Sequence, residues 1–356
     1  MTSPIASRAV ERVAELLEAD RHDLLAVIVG GSAGRGEAVD VEFGDGVFLR
    51  SDVDLLAVRP LLWTQRRKLD RALERLSREL YDGDPSAINS WVVTRGQVEK
   101  LRTVFAYEAK VAGRVLVGEP VVARLRLGAR RRGPDVRHAR EIVLHRLAHT
   151  VDTLAAMETP ASSAARARLG SRLARHHLDL LTAASYLLGR REPSYRERLA
   201  TFESDASLAT QLRNSISRGF LERQRRSLRL RSDPGLSAET PCAALLGDFV
   251  RDAARLVGSP IFGADAELRL KLNSDGPRLV AYQLAGCLSA RRPPARFGAR
   301  HKVWLLERSL SVLGGIARAA ATGGIDAAVE SRREELSALR LEMSIGLRFL
   351  RKARAA

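Results

Sequence analysis

Cysteine is scarce in this 356-residue chain: Cys242 and Cys287 are too few for a disulfide framework and lack metal-ligand spacing. Both read as core thiols. Aromatic residues make up 5% of the chain, too few to interleave a basic surface with stacking rings. No apolar run is long enough to span a bilayer, and the opening MTSPIASRAVERVAELLEAD is an amphipathic helical pattern carrying acids, not a secretory leader. The expectation is a cytoplasmic chain with no membrane partner. Acids are also in deficit, 42 against 59 Lys and Arg, which leaves a net charge of +17 carried overwhelmingly by arginine. An excess of that size favours polyanions such as nucleic acid or a nucleoside triphosphate. The same arginines also suit solvated helix faces. What remains, 45% hydrophobic and 28% charged, is an ordinary globular balance with length enough for two or three domains.

The informative stretch is AVIVGGSAGRGEAVDVEFGDGVFLRSDVDLLAV, residues 26–58. Ala26–Val29 is a short β-branched run that stops at Gly30-Gly31, a strand ending in a permissive turn. Ser32 stands where a helix can begin, so its hydroxyl and the nearby N–H groups can face an anion. Residues 51–58 read as a second strand, on which Asp52 and Asp54 share a face. Two carboxylates so placed repel, and a hard cation such as Mg²⁺ between them relieves the repulsion.

These residues resemble the signature of the polymerase-beta-like nucleotidyltransferase superfamily, in which a Gly-Ser turn precedes an Asp-x-Asp strand. The string Gly31-Ser32-Ala33-Gly34-Arg35-Gly36-Glu37-Ala38 is similar to the GSxARGEA form of its small bacterial and archaeal members. The resemblance implies a mixed-sheet core that transfers a nucleoside monophosphate from an NTP, ATP first among the candidates, to a hydroxyl on a small molecule, protein or RNA. Gly30, Gly31 and Ser32, with Arg35 and Glu37, would serve the nucleotide, Arg35 by steadying the triphosphate or by positioning the acidic loop, and Asp52 and Asp54 would hold the Mg²⁺ ions. The spacer between Ser32 and Asp52 is longer than the family's usual one. Short alternating runs around Gly44-Asp45-Gly46 predict an inserted β-hairpin there.

The third strand, residues 87–94, is where the superfamily usually carries a third carboxylate. This chain offers Asn89, whose amide oxygen can ligate Mg²⁺ weakly but cannot take a proton. Glu108, in a helix expected over residues 95–113, is the candidate replacement, with a salt-bridged helix residue as the competing reading. A basic linker follows at 123–137, then helical patterns assigned to domains at 138–232 and 233–356, the second of unknown role. The fold class is α+β: a sheet core with flanking helices, then all-α segments. His145 and His149 lie four apart on one helical face, a weak metal-ligand pattern. Arg140 and His145 resemble the ribonuclease motif of a small helical toxin family that partners with minimal nucleotidyltransferases. The last helix is expected from Ile325 to about Ala353.

Two alternatives stand beside the transferase. One is a catalytically weakened nucleotide-binding regulatory module or antitoxin-like partner, since the third carboxylate is missing. The other is an RNA-tailing polymerase, favoured by the charge and disfavoured by the few aromatics.

Overall fold

The computed structural model describes residues 3–20, 23–43, 47–61, 65–81, 83–85, 87–98, 101, 103–124, 136–158, 161–232, 241–262 and 299–346. The fold is mixed α+β, and the chain divides into two compact units, Met1–His138 and Ala139–Ala356.

The first unit is built on a four-stranded sheet. Helix α1 (Pro4–Asp20) leads into β1 (Ala26–Val29), which ends in a four-residue helix, α2 (Gly31–Gly34). A hairpin follows, β2 (Asp40–Phe43) and β3 (Val47–Arg50), antiparallel and separate from the main sheet. Its tip, expected at Gly44-Asp45-Gly46, lies outside the described residues. At its base, the Val39 N–H donates to Ser51 Oγ (2.9 Å) and the Ser51 N–H to the Val39 carbonyl (3.0 Å), so the inserted arm leaves and returns at adjacent points. The long spacer therefore leaves the two ends it joins undisturbed.

Next come β4 (Val53–Arg59), α3 (Arg66–Leu80), β5 (Ile88–Thr94), α4 (Arg95–Val98), α5 (Val104–Ala112), β6 (Arg114–Val117) and α6 (Glu119–Arg124). The strand order is β5-β4-β1-β6, with β1 antiparallel to β4 and β6, and β4 parallel to β5. Because side chains alternate, β1 and β4 bury both faces. Val27, Val29, Val53, Leu55 and Ala57 meet the apolar stripes of α1 (Ala6, Ala9, Val13, Leu17) and α3 (Leu69, Leu73, Leu76, Leu80). Ala26, Ile28, Leu56 and Val58 meet Val98, Ala106 and Ala109 on the other side. Each Val, Leu or Ile among them contributes about 1.5–3 kcal/mol of transfer free energy.

The helix expected over residues 95–113 is two. Thr103 takes extended dihedrals and its Oγ1 accepts from the Ala106 N–H at 3.1 Å, starting α5 afresh. A capping hydroxyl here overrides a continuous helical pattern.

The second unit is all helix: α7 (Val136–Ala155), α8 (Ser163–Leu187), α9 (Tyr195–Ser204), α10 (Ala206–Ser215), α11 (Phe220–Ser232), then Cys242–Val257, Ala299–Glu330 and Arg333–Gly346. Ser194 and Glu197 form the expected capping box at the start of α9. One apolar core joins α7 and α8 to residues 242–262 and 305–343, so the segments split by sequence near 232 share a single interior. The expected last helix is likewise divided. Gly324 leaves helical geometry (φ 80°), and a turn at Ser331-Arg332 precedes Arg333. Among the described residues one helix, Trp304–Glu330, is long and apolar enough to cross a membrane, a test that core helices also pass. Its Leu305, Leu306, Leu313, Ile316, Ala320, Ala328 and Val329 lie in the core of this unit, which accounts for the apolarity. Cys242 is buried, with its Sγ 3.0 Å from the Arg166 carbonyl, as a core thiol should be. Cys287 lies outside the described residues.

Candidate functional site at the strand ends

The sheet gathers the sequence-selected residues at one end. Antiparallel pairing of β1 with β4 runs to Val29↔Leu55 and continues one step further, where the Gly30 N–H donates to the Asp54 carbonyl at 2.8 Å. Gly31 then turns the chain at φ +58°, a conformation L side chains rarely adopt. A Cβ on Gly31 would sit 3.2 Å from Asp54 Oδ2, so the carboxylate lies directly against the turn. Ser32 and Ala33 follow as the first turn of α2, where a helix offers its own N–H groups no internal acceptor.

On the opposite flank of β4, the parallel register pairs Asp54 with Asn89 of β5. The Gly31-Ser32 turn, Asp54 and Asn89 thus stand on three adjacent strands, about 10 Å from end to end at the usual strand spacing. Asp52 precedes β4 by one residue and is half-buried, held at the strand's start by the Val53 N–H on the Ala87 carbonyl at 2.8 Å. Asp52 and Asp54 are carboxylates and Asn89 carries an amide oxygen, a donor set of hard oxygens that fits a magnesium ion retaining several waters.

Three other sequence candidates form a separate cluster. The Arg35 Nε donates to Glu37 Oε2 and its NH1 to Glu108 Oε2, each at 2.8 Å. All three side chains are largely shielded, at 7%, 19% and 10% exposed for Arg35, Glu37 and Glu108. Of the readings open for these residues, the contacts match Arg35 positioning its acidic neighbour Glu37 and Glu108 as a salt-bridged helix residue. The physical reason is burial, because a shielded guanidinium between two carboxylates satisfies all three groups and braces the end of α2 against α5.

The histidines of the helical unit do not form a metal centre: among the described residues no group of three or more His, Cys, Asp or Glu could hold an ion. His149 is pushed down to about 3, by burial first and then by Arg146, His145, Arg172 and Arg175. Those cations would repel a metal as they repel a proton. The Thr150 hydroxyl donates to the Arg146 carbonyl (2.8 Å), so the contact to His176 Nδ1 (2.9 Å) requires that nitrogen to carry the proton. Arg140 of the Arg140–His145 pair is buried, with its Nε donating to the Phe262 carbonyl at 2.5 Å.

A fully buried Ser227–His177–Asp252 row went unnoticed in the sequence. His177 Nε2 lies 2.7 Å from Asp252 Oδ2, and Nδ1 lies 3.1 Å from Ser227 Oγ. Burial pushes the Asp252 carboxyl up, but hydrogen bonds from His177 and Arg223 outweigh it and hold the carboxyl below its ordinary value. With His177, Ser227 and Asp252 at most 2% exposed, no substrate reaches the row, and it pins α8, α11 and the Cys242–Val257 helix together. The available signal was Asp252 itself, on the apolar stripe Leu245, Phe249, Leu256.

Comparison with family models, characterised proteins and solved structures finds no match for this chain.

Proposed function

We propose that the first unit is a nucleotidyltransferase that moves a nucleoside monophosphate from an NTP to a hydroxyl acceptor. The observation that carries this reading is the contact between the Gly31 turn and the Asp54 carboxylate, flanked on the other side by Asn89. A turn that can accept phosphate and a carboxylate that can accept a cation, placed against one another, suit the phosphates and the magnesium of one NTP.

The triphosphate would lie with its leaving group at the Gly31-Ser32 turn, where outward N–H groups favour anionic oxygens. Magnesium, when bound at Asp52 and Asp54, supplies charge neutralisation for the phosphoryl oxygens and for the departing pyrophosphate. The acceptor oxygen attacks the α-phosphorus, an O–P bond forms, the bond from the α-phosphorus to the bridging oxygen breaks, and pyrophosphate leaves. The acceptor proton cannot go to Asn89, which has no basic atom, so it is lost to solvent. Asn89 can accept a hydrogen bond from the hydroxyl and orient it. Arg35, Glu37 and Glu108 keep the turn in place.

Incubation with each labelled NTP, Mg²⁺ and cell extract should release pyrophosphate and label an acceptor. The Asp52→Ala, Asp54→Ala double variant should lose about three orders of magnitude of that activity. Undiminished release from the double variant would defeat the reading. Asn89 favours a second reading, a nucleotide-binding regulatory module, which would bind NTP with Mg²⁺ and release no pyrophosphate.

A further inference from the structure

The acceptor side of this site carries an aromatic platform. In-line displacement requires the nucleophile to approach from the side opposite the leaving group. With the leaving group at the turn after β1, and Asp54 on β4 between, that opposite side is β5, the edge strand. Two residues beyond Asn89 on β5, about 6.6 Å along the strand and on the same face, stands Trp91. Trp91 pairs with Leu56 in the parallel register, and its ring lies 6.0 Å centroid to centroid from Phe105, tilted by 35°.

The indole remains 36% exposed and, with Leu61 and Val111, is one of three large apolar side chains open to solvent among the described residues. Phe105 beneath it is closely packed in turn, since a Cβ on Gly30 would stand 2.5 Å from Phe105 Cε2. The Trp91–Phe105–Gly30 run therefore forms a floor from the acceptor side to the phosphate turn. A flat ring held against a second aromatic and still partly open to solvent is what a planar ligand stacks on.

We propose that Trp91 stacks the base of a nucleoside whose own hydroxyl is the acceptor, an inference that rests on the transferase reading. Two observations favour a nucleoside. The distance from Asn89 to Trp91 is about the width of one sugar, so a base on the indole holds its ribose hydroxyls beside Asn89 and Asp54. The surface is π-bearing rather than merely apolar. The nucleoside can be a free nucleotide or the 3′ end of a strand, the base and sugar being the same in both.

Tryptophan fluorescence tests this with the full chain, Mg²⁺ and a non-hydrolysable ATP analogue filling the donor side. Adenosine 5′-monophosphate and a hexameric oligoadenylate should quench the emission saturably, and ribose 5-phosphate, lacking a base, should not. Trp91→Ala, titrated by calorimetry because it lacks the reporting indole, should weaken binding of both ligands about 10- to 100-fold, and Trp91→Phe, which keeps a ring, should restore most of it in the same measurement. Tighter binding of the hexamer than of the monophosphate assigns a strand end, and equal binding a free nucleotide; either supports the proposal. It is overturned if Trp91→Ala, with melting unchanged, binds both as well as wild type. It is also overturned if ribose 5-phosphate competes equally, or if tyrosine amide binds more tightly than either nucleotide. If the ATP analogue binds but the nucleosides ignore Trp91, this inference alone fails. If the analogue does not bind, the transferase reading and this inference fall together.

Discussion

The two units use charge in opposite ways. Residues 1–138 hold 23 Lys and Arg against 20 Asp and Glu, whereas residues 139–356 hold 36 against 22, so most of the positive charge belongs to the helices. Yet the near-neutral sheet unit is the one whose carboxylates meet at the strand ends, with Asp52 and Asp54 partly open beside a turn. In the helical unit, Ser227, His177 and Asp252 have the residue types of a catalytic triad, but they are sealed from solvent and satisfied by one another. Residue type alone does not make a site. A polar group left partly open at a strand end is accessible to a ligand, and one that is sealed from solvent serves architecture.

The contrast can be sharpened within the sheet unit, because Arg35, although next to the turn, is of the architectural kind. Replacing it by Ala leaves the Glu37 and Glu108 carboxylates shielded without their cation and should lower the unit's stability by about 3–5 kcal/mol, read as a shift in the urea midpoint. A drop in activity with unchanged stability would move Arg35 to the site instead.

Asn89→Asp comes next in size. A carboxylate in register with Asp54 supplies the base the native chain lacks, so pyrophosphate release should rise by about 100-fold, the low end of general-base contributions. No gain would separate Asn89 from the chemistry and favour the regulatory reading.

The last test belongs to the helices and concerns acid. His149 titrates near 3 when folded and at 6.5 in its ordinary state, so between those values the unfolded chain binds the extra proton. Its stabilising contribution is complete above pH 6.5 and declines as the pH falls toward 3, by up to about 1.4 kcal/mol per pH unit. Burial, then Arg146, His149, Arg175 and Arg172, hold the His176 imidazole down in the same direction. Thermal melts across this range should show a declining midpoint, less steep in His149→Gln. An unchanged slope in that variant would mean the imidazole is not shielded as described.

What could be read from the sequence follows the range of each interaction. The strands around Gly30 and Asp54 announce themselves through short β-branched runs and turn glycines, and Asn89 was singled out by its place in the third strand, residues 87–94. The partner of Arg35 was not legible, because Glu108 is 73 residues away and the contact exists only once α5 crosses behind β1. The same holds for His177 and Asp252, 75 residues apart. The splitting of residues 95–113 and 325–353 was missed for a local reason. Helical periodicity continues through both breaks, and the interruption comes from Thr103 in one and the turn at Ser331-Arg332 in the other.

The central claim is that the Gly31-Ser32 turn and the Asp pair hold one Mg²⁺-bound triphosphate, and it can be tested whether or not the chemistry is fast. Calorimetric titration of wild type with a non-hydrolysable ATP analogue, with and without Mg²⁺, should show Mg²⁺-dependent binding that Asp52→Ala, Asp54→Ala abolishes while melting is unchanged. Equal affinity in wild type and double variant, or binding indifferent to Mg²⁺, would contradict it.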